Sequence, residues 1–210
     1  MTMNVVSLLL SSLLALFLLG TGCVKLESPP PAIDFYTLEY DPPQTQDMPP
    51  LPVVLEIERF GIVPDYNTTR MVFKKAPFER DEYVYHRWHA EPSDVITSFL
   101  RRDCTRSGRF LAISGPTTGI PPTHILSGSV GAFYEQDHPD RWEAVLEVTI
   151  TLCKANEPEV SRRVLFQRSY TKVTTCAART PSGVAQAMSL AMQDISGQIR
   201  RDVATALTQP

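Results

Sequence analysis

The sequence predicts an α+β fold: a mostly antiparallel sheet with two amphipathic helices packed on one face, carried behind an exported leader. Three observations lead there. An apolar run over 5–19 (VVSLLLSSLLALFLL) ends in Gly20-Thr21-Gly22-Cys23. Every second residue over 142–152 is apolar, the mark of a strand with one buried face. The last part of the chain carries an apolar stripe at a period near 3.6, the mark of a helix lying on a core.

The apolar run is shorter than the roughly 20 residues a bilayer-spanning helix needs. Small residues follow it, so 1–22 has the form of a secretory signal with a peptidase site at its end. A cysteine directly after those small residues resembles a bacterial lipobox, with Leu19-Gly20-Thr21-Gly22 before Cys23. Gly20 stands where lipoboxes usually carry a branched apolar residue, and no Lys or Arg precedes the run. Cys23 is therefore the candidate lipidation site and the first residue of the mature chain. Each buried methylene of a palmitate-type chain contributes about 0.8 kcal/mol, and stable anchoring takes more than one chain. Val24 stands where an Asp favours inner-membrane retention in enterobacterial lipoproteins, which points to the outer membrane.

Behind the leader, 23–52 comprises the lipidated cysteine, a proline-rich tether and a docking strand, and 53–210 is long enough for a single α+β domain. The chain has 18 prolines against 10 glycines, concentrated early, and the Pro29-Pro30-Pro31 run favours an extended, semi-rigid spacer. A net charge of -3 without a basic cluster excludes nucleic acid as a partner, because such binding needs massed Lys and Arg. Cys104, Cys153 and Cys176 lack the spacing of a zinc site and predict buried thiols with at most one bridge, its pairing open.

In chain order, 33–40 (IDFYTLEY) is rich in aromatic and β-branched residues and predicts the docking strand. Over 53–60, Val53, Leu55 and Ile57 alternate with Glu56 and Glu58, a strand with one wet face. A loop over 61–68 precedes strands over 70–75 and 81–88, joined at a turn containing Pro77 as a β-hairpin without the Asn-Gly signal. Val95, Ile96, Phe99, Leu100 and Cys104 then recur at helical spacing over 92–106, with Pro92 and Asp94 suited to the first turn. A strand over 109–114 follows.

Strands over 123–136 and 141–153 form a second hairpin around Asp137-His138-Pro139-Asp140, with Gly128 and Gly131 marking a bulge or bend. A strand over 161–174 completes a three-stranded meander. Thr180 caps the final helix, Pro181 fits its first turn, and Val184, Ala187, Met188, Ala191, Met192, Ile195, Ile199 and Val203 share one stripe.

Few residues invite a reading as chemistry. His86, His89 and Glu91 are close in sequence, but no second cluster completes a metal site. Ser127-Gly128-Ser129 lacks the G-x-S-x-G elbow and an adjacent base. Met188 and Met192 lie on the apolar stripe and belong to ordinary packing rather than to a lipid contact. The sequence points to no catalytic residue, metal or cofactor. Tyr83, Tyr85 and Trp88 are the candidate partner interface, since aromatic residues combine large contact area with a polar handle. On a regular strand, Tyr83 and Tyr85 share a face and Trp88 falls opposite.

Taken together, the lipobox, the Asp34-Phe35-Tyr36-Thr37-Leu38 strand and Tyr83-Val84-Tyr85-His86-Arg87-Trp88 followed by Glu91-Pro92 resemble the ABC-type transport auxiliary lipoprotein component family. The resemblance implies a non-enzymatic accessory of lipid transport across a Gram-negative envelope. Its implied partners are an MCE-domain protein and ABC transporter components, with the membrane engaged through the lipid anchor. Its implied place is the periplasmic face of the outer membrane, with the inner membrane second. Self-association as a homo-oligomer stays open. The alternative is a periplasmic lipoprotein that carries a lipid in a cavity of its own.

Overall fold

Alternating apolar residues give strands an inward face, and the longest such stretches become the spine of the sheet. The computed structural model describes residues 31–44, 49–115 and 119–208, so the leader and Cys23 lie outside the described residues. From Ile33 onward the chain forms one compact unit. Its elements are β1 (Asp34–Tyr36), β2 (Leu51–Ile57), β3 (Gly61–Ile62), β4 (Arg70–Lys74), β5 (Asp81–Trp88), α1 (Pro92–Arg106), β6 (Phe110–Ser114), β7 (His124–Asp137), β8 (Trp142–Lys154), α2 (Val160–Arg163), β9 (Val164–Thr175) and α3 (Pro181–Thr208). A 3₁₀ turn, Pro64–Tyr66, separates β3 from β4.

β7 organises the sheet. One edge pairs antiparallel with β8, which pairs antiparallel with β9, giving the expected meander. The other edge receives β2, β3 and β4 in succession, all parallel to β7. β6 lies parallel outside β2, β5 antiparallel outside β4, and β1 parallel outside β5. The sheet is therefore mixed, which corrects the expectation of a mostly antiparallel one. Local alternation identifies strands and adjacent hairpins, but parallel partners meet only through long connections. Here the path over 51–74 is laid along β7, which follows it by some fifty residues.

On β8, Ala144, Leu146, Val148, Ile150 and Leu152 are all buried, as the alternation predicts. α3 contacts β8 and β9, while α1 contacts β3, β6, β7 and α3. The buried stripe of α3 includes Met188, Met192 and Ile195. At its start, Thr180 Oγ1 accepts from the Gly183 backbone N–H at 3.1 Å, the predicted cap. The register of β7 on β8 slips between Val130 and Ala132, placing the bulge at Gly131. Gly128 meets a closer constraint, because a Cβ there would lie 2.7 Å from the Thr149 carbonyl oxygen and 2.8 Å from the Phe60 ring. Cys104, Cys153 and Cys176 are all free thiols, so no bridge forms among them.

Candidate docking surface

β5 carries the three aromatic residues proposed as an interface, and its pairing with β4 decides what each can do. Arg70 stands opposite Arg87, whereas Val72 stands opposite Glu82. Two steps along β4 thus match five along β5 (72−70 against 87−82), so β5 bulges across Tyr83 to His86. A regular strand keeps a two-residue alternation; this one does not. Trp88 is 3% exposed and packs edge-on against Phe133, with ring centroids 4.9 Å apart. Tyr83 is half-buried, its hydroxyl donating to the Glu135 carboxyl at 3.1 Å. Tyr85 is 44% exposed beside Val84 at 58%. The structure therefore does not gather the three residues into one surface, and Tyr85 is the member that faces outward.

The neighbouring histidines join elements together. His86 Nδ1 lies 3.1 Å from the Tyr36 hydroxyl and 3.5 Å from an Asp34 carboxylate oxygen, tying β1 to β5. The His89 ring meets Phe35 edge-on, and Glu91 pairs with Arg59 at 2.8 Å. The three residues weighed as ligands thus turn to different neighbours. Among the described residues, no group of three or more His, Cys, Asp or Glu is placed to hold a metal ion.

Glu135 is the chemical feature that periodicity alone does not reveal. It sits on β7 opposite Ala144, itself fully buried, and is 1% exposed. Burial, reinforced by a hydrogen bond with Asp137 and by its charge, pushes the Glu135 carboxyl up to about 9, with the Tyr83 hydroxyl acting the other way. Among the described residues, Asp137 Oδ1 is buried without a hydrogen-bond partner. Cys176 nearby is pushed up to about 11, chiefly by burial and then by the Glu135 charge. The signal for Glu135 was present in the hairpin register: a loop over 138–141 sets residue 135 opposite 144, on the apolar face of β8.

The β4–β5 hairpin ends in an open cleft of about 490 Å³ whose lining includes Lys74, Lys75, Phe78, Arg80, Tyr134 and Gln136. Tyr66 and Tyr134 stack with centroids 5.5 Å apart, and Lys74 Nζ lies 4.1 Å over the Tyr134 ring. Arg80 pairs with Asp65 and stands over the Tyr66 ring at 5.2 Å.

The model of the ABC-type transport auxiliary lipoprotein component family matches residues 36–200, a span that contains nearly all of these elements. The chain belongs to that family. No curated protein matches it. Among solved structures, it is similar to protein XCC0632 from Xanthomonas campestris, with a TM-score of 0.74 and 16% identity over 82% of this chain and 95% of that one. It is also similar to the hypothetical protein CT253 from Chlamydia trachomatis, with a TM-score of 0.51 and 10% identity over 75% of this chain and 98% of that one. These likenesses speak to the fold. For this auxiliary lipoprotein, family membership implies a place in the cell envelope and an association with transport systems. Among the described residues, no helix is long and apolar enough to cross a membrane.

Proposed function

We propose that this auxiliary lipoprotein is a non-catalytic adaptor of an MCE/ABC-type intermembrane lipid transport system, anchored by acyl chains on Cys23 at the periplasmic face of the outer membrane. The observation that carries this reading is the family match over 36–200. The lipobox residues before Cys23 supply the anchor, and Val24 favours the outer membrane. The body offers Tyr85 and Val84 at the β5 bulge as contacts for an MCE-domain partner. An exposed aromatic next to an exposed aliphatic is the kind of pair that interfaces bury.

After a high-salt wash, replacing Cys23 with Ala moves the protein from the membrane fraction to the soluble periplasmic extract without changing its Tm. An unmodified mature amino terminus downstream of position 23, found by mass spectrometry, refutes the anchor. An MCE-domain protein co-purifies with the wild type, and Tyr85→Ala lowers that yield; an unchanged yield removes Tyr85 from the interface.

A further inference from the structure

The turn that closes the β4–β5 hairpin is built against its own backbone preferences. The Glu79 N–H donates to the Ala76 carbonyl at 3.2 Å, so residues 76–79 form a β-turn with Pro77 and Phe78 at its corners. Phe78 has φ +67°, the left-handed region. With proline at the first corner, the second at positive φ is the place type II turns give to glycine or asparagine. A bulky aromatic there is an outlier, and such outliers concentrate at functional positions. Phe78 gains no packing in return, for its ring is wholly in solvent, with a relative exposure of 108%.

The cleft beside this turn carries cations in its lining. Lys74 and Lys75 line the same cleft, and their ammonium groups lie over the faces of Tyr134 and Phe73, at 4.1 and 4.7 Å from the ring centres. Neither makes an ion pair among the described residues. Of the nearby acids, Asp65 pairs with Arg80 and Glu82 with Arg70, burial raises the Glu135 carboxyl, and Asp137 lines the cleft with the lysines. Glu79 is the acid of the turn itself. Aromatic rings beside lysines that can extend past them are the arrangement found at membrane–water interfaces.

The path of the chain gives a direction. β1 is parallel to β5, with Asp34 beside His86 and Tyr36 beside Trp88, so the polypeptide enters β1 travelling away from the hairpin tip. Eight residue steps separate His86 from Phe78, at most roughly 27 Å. The ten residue steps from Cys23 to Ile33 span up to about 35 Å when extended, more than that separation.

We infer that the β4–β5 tip is a membrane-contact element: Phe78 enters the interfacial layer of an anionic bilayer while Lys74 and Lys75 meet lipid phosphates. Together with the anchor it makes a two-point attachment that fixes how the body faces the membrane. The inference rests on the envelope reading above only in placing a bilayer within reach. Its test removes the anchor, so that failure of Cys23 acylation and failure of the tip are separate results.

The mature chain, beginning at position 23 and carrying Cys23→Ala, is sedimented with vesicles of phosphatidylethanolamine and phosphatidylglycerol, and separately with phosphatidylcholine vesicles. It is retained by the anionic vesicles, more weakly by the neutral ones, and less as salt rises. Each of Lys74→Ala and Lys75→Ala lowers the vesicle association constant about five-fold. Phe78→Gly lowers it about ten-fold while leaving the Tm equal or higher, because glycine relieves the turn and the ring contributes no packing. No retention of the anchor-free chain, or retention unchanged in Phe78→Gly and in the double lysine variant, overturns the proposal. Displacement by inorganic phosphate at matched ionic strength also overturns it, assigning the lysines to a free anion instead.

Discussion

Glu135→Gln tests whether a protonated carboxylic acid is built into the core of this fold. Glu135 is buried to 1% exposure, and its carboxyl is raised from an ordinary 4.5 to about 9. Between those values the folded chain holds a proton that the unfolded chain has released. Stability changes with pH in proportion to protons bound unfolded minus protons bound folded, a difference that is negative here. The contribution of Glu135 is therefore fully present below about 4.5 and is lost as pH rises towards 9. The limiting slope is about 1.4 kcal/mol per pH unit, so on the order of 4 kcal/mol disappears between about pH 5 and 8. That is a large part of the 5–15 kcal/mol typical of a domain.

Competing groups separate by window. Asp65, Asp94 and Glu143 are lowered, each chiefly by a hydrogen bond from its arginine partner, so their effects lie below the ordinary carboxylate range. Burial lowers His124, which makes stability rise with pH as it passes through the histidine range, the opposite sign. Burial raises Cys104, which adds a loss only above its ordinary 9.0. Urea denaturation at pH steps between about 5 and 8 therefore shows wild-type stability falling and the Glu135→Gln profile flat or slightly rising. The gap between the two widens by about 1.4 kcal/mol per unit. Parallel profiles refute the argument, for they mean that Glu135 is ionised in the fold.

Three further substitutions test packing. Trp88→Ala empties the site against Phe133 and costs about 3–5 kcal/mol, whereas Tyr85→Ala stays within about 0.5 kcal/mol, both read from denaturant midpoints; equal losses refute the separation of the two into core and surface. Gly128→Ala drives a methyl into the Thr149 carbonyl and the Phe60 ring and costs about 2 kcal/mol, a Tm fall of about 6 °C; an unchanged Tm shows that β7 shifts freely at this point.

The strands and helices that depend on their own side chains were legible in the sequence. β8 could be drawn from alternation because nearly every inward position is apolar, and α3 from its stripe and the Thr180 cap. The hairpin of β4 and β5 was legible, but the bulge in β5 was not, because a slip of three residues depends on what lies across the sheet. The parallel placement of β2, β3 and β4 on β7 is likewise set by a partner distant in sequence. Of the candidate surface, the parting of exposed Tyr85 from half-buried Tyr83 was not legible, because it follows from the β5 bulge. Trp88 was not legible as core, since an aromatic at a strand end carries no mark of which side its neighbour Phe133 occupies. Phe78 escaped for another reason: Pro77-Phe78 has no glycine to announce a left-handed turn.

The predicted strand over 33–40 shows how a short deviation can matter more than the element itself. Only Asp34–Tyr36 pairs with β5; the residues that follow leave the sheet and seat themselves among the helices. Leu38 is buried, the Glu39 N–H donates to Ser189 Oγ on α3 at 2.9 Å, and the Tyr40 hydroxyl donates to Asp103 on α1 at 2.7 Å. Asp103 also accepts from Ser196 at 2.6 Å and from Arg102 Nε at 2.9 Å. A buried carboxylate without such donors would cost several kcal/mol; with three, it becomes a junction joining the arm to both helices. Arg102 adds a stack, lying 4.4 Å over the rings of both Tyr40 and Phe99. A load applied through the chain before Ile33 therefore meets the β1–β5 pairing first and, behind it, a hydrogen-bonded knot between α1 and α3. Were the chain anchored at Cys23 as proposed, that knot would carry the load into both helices.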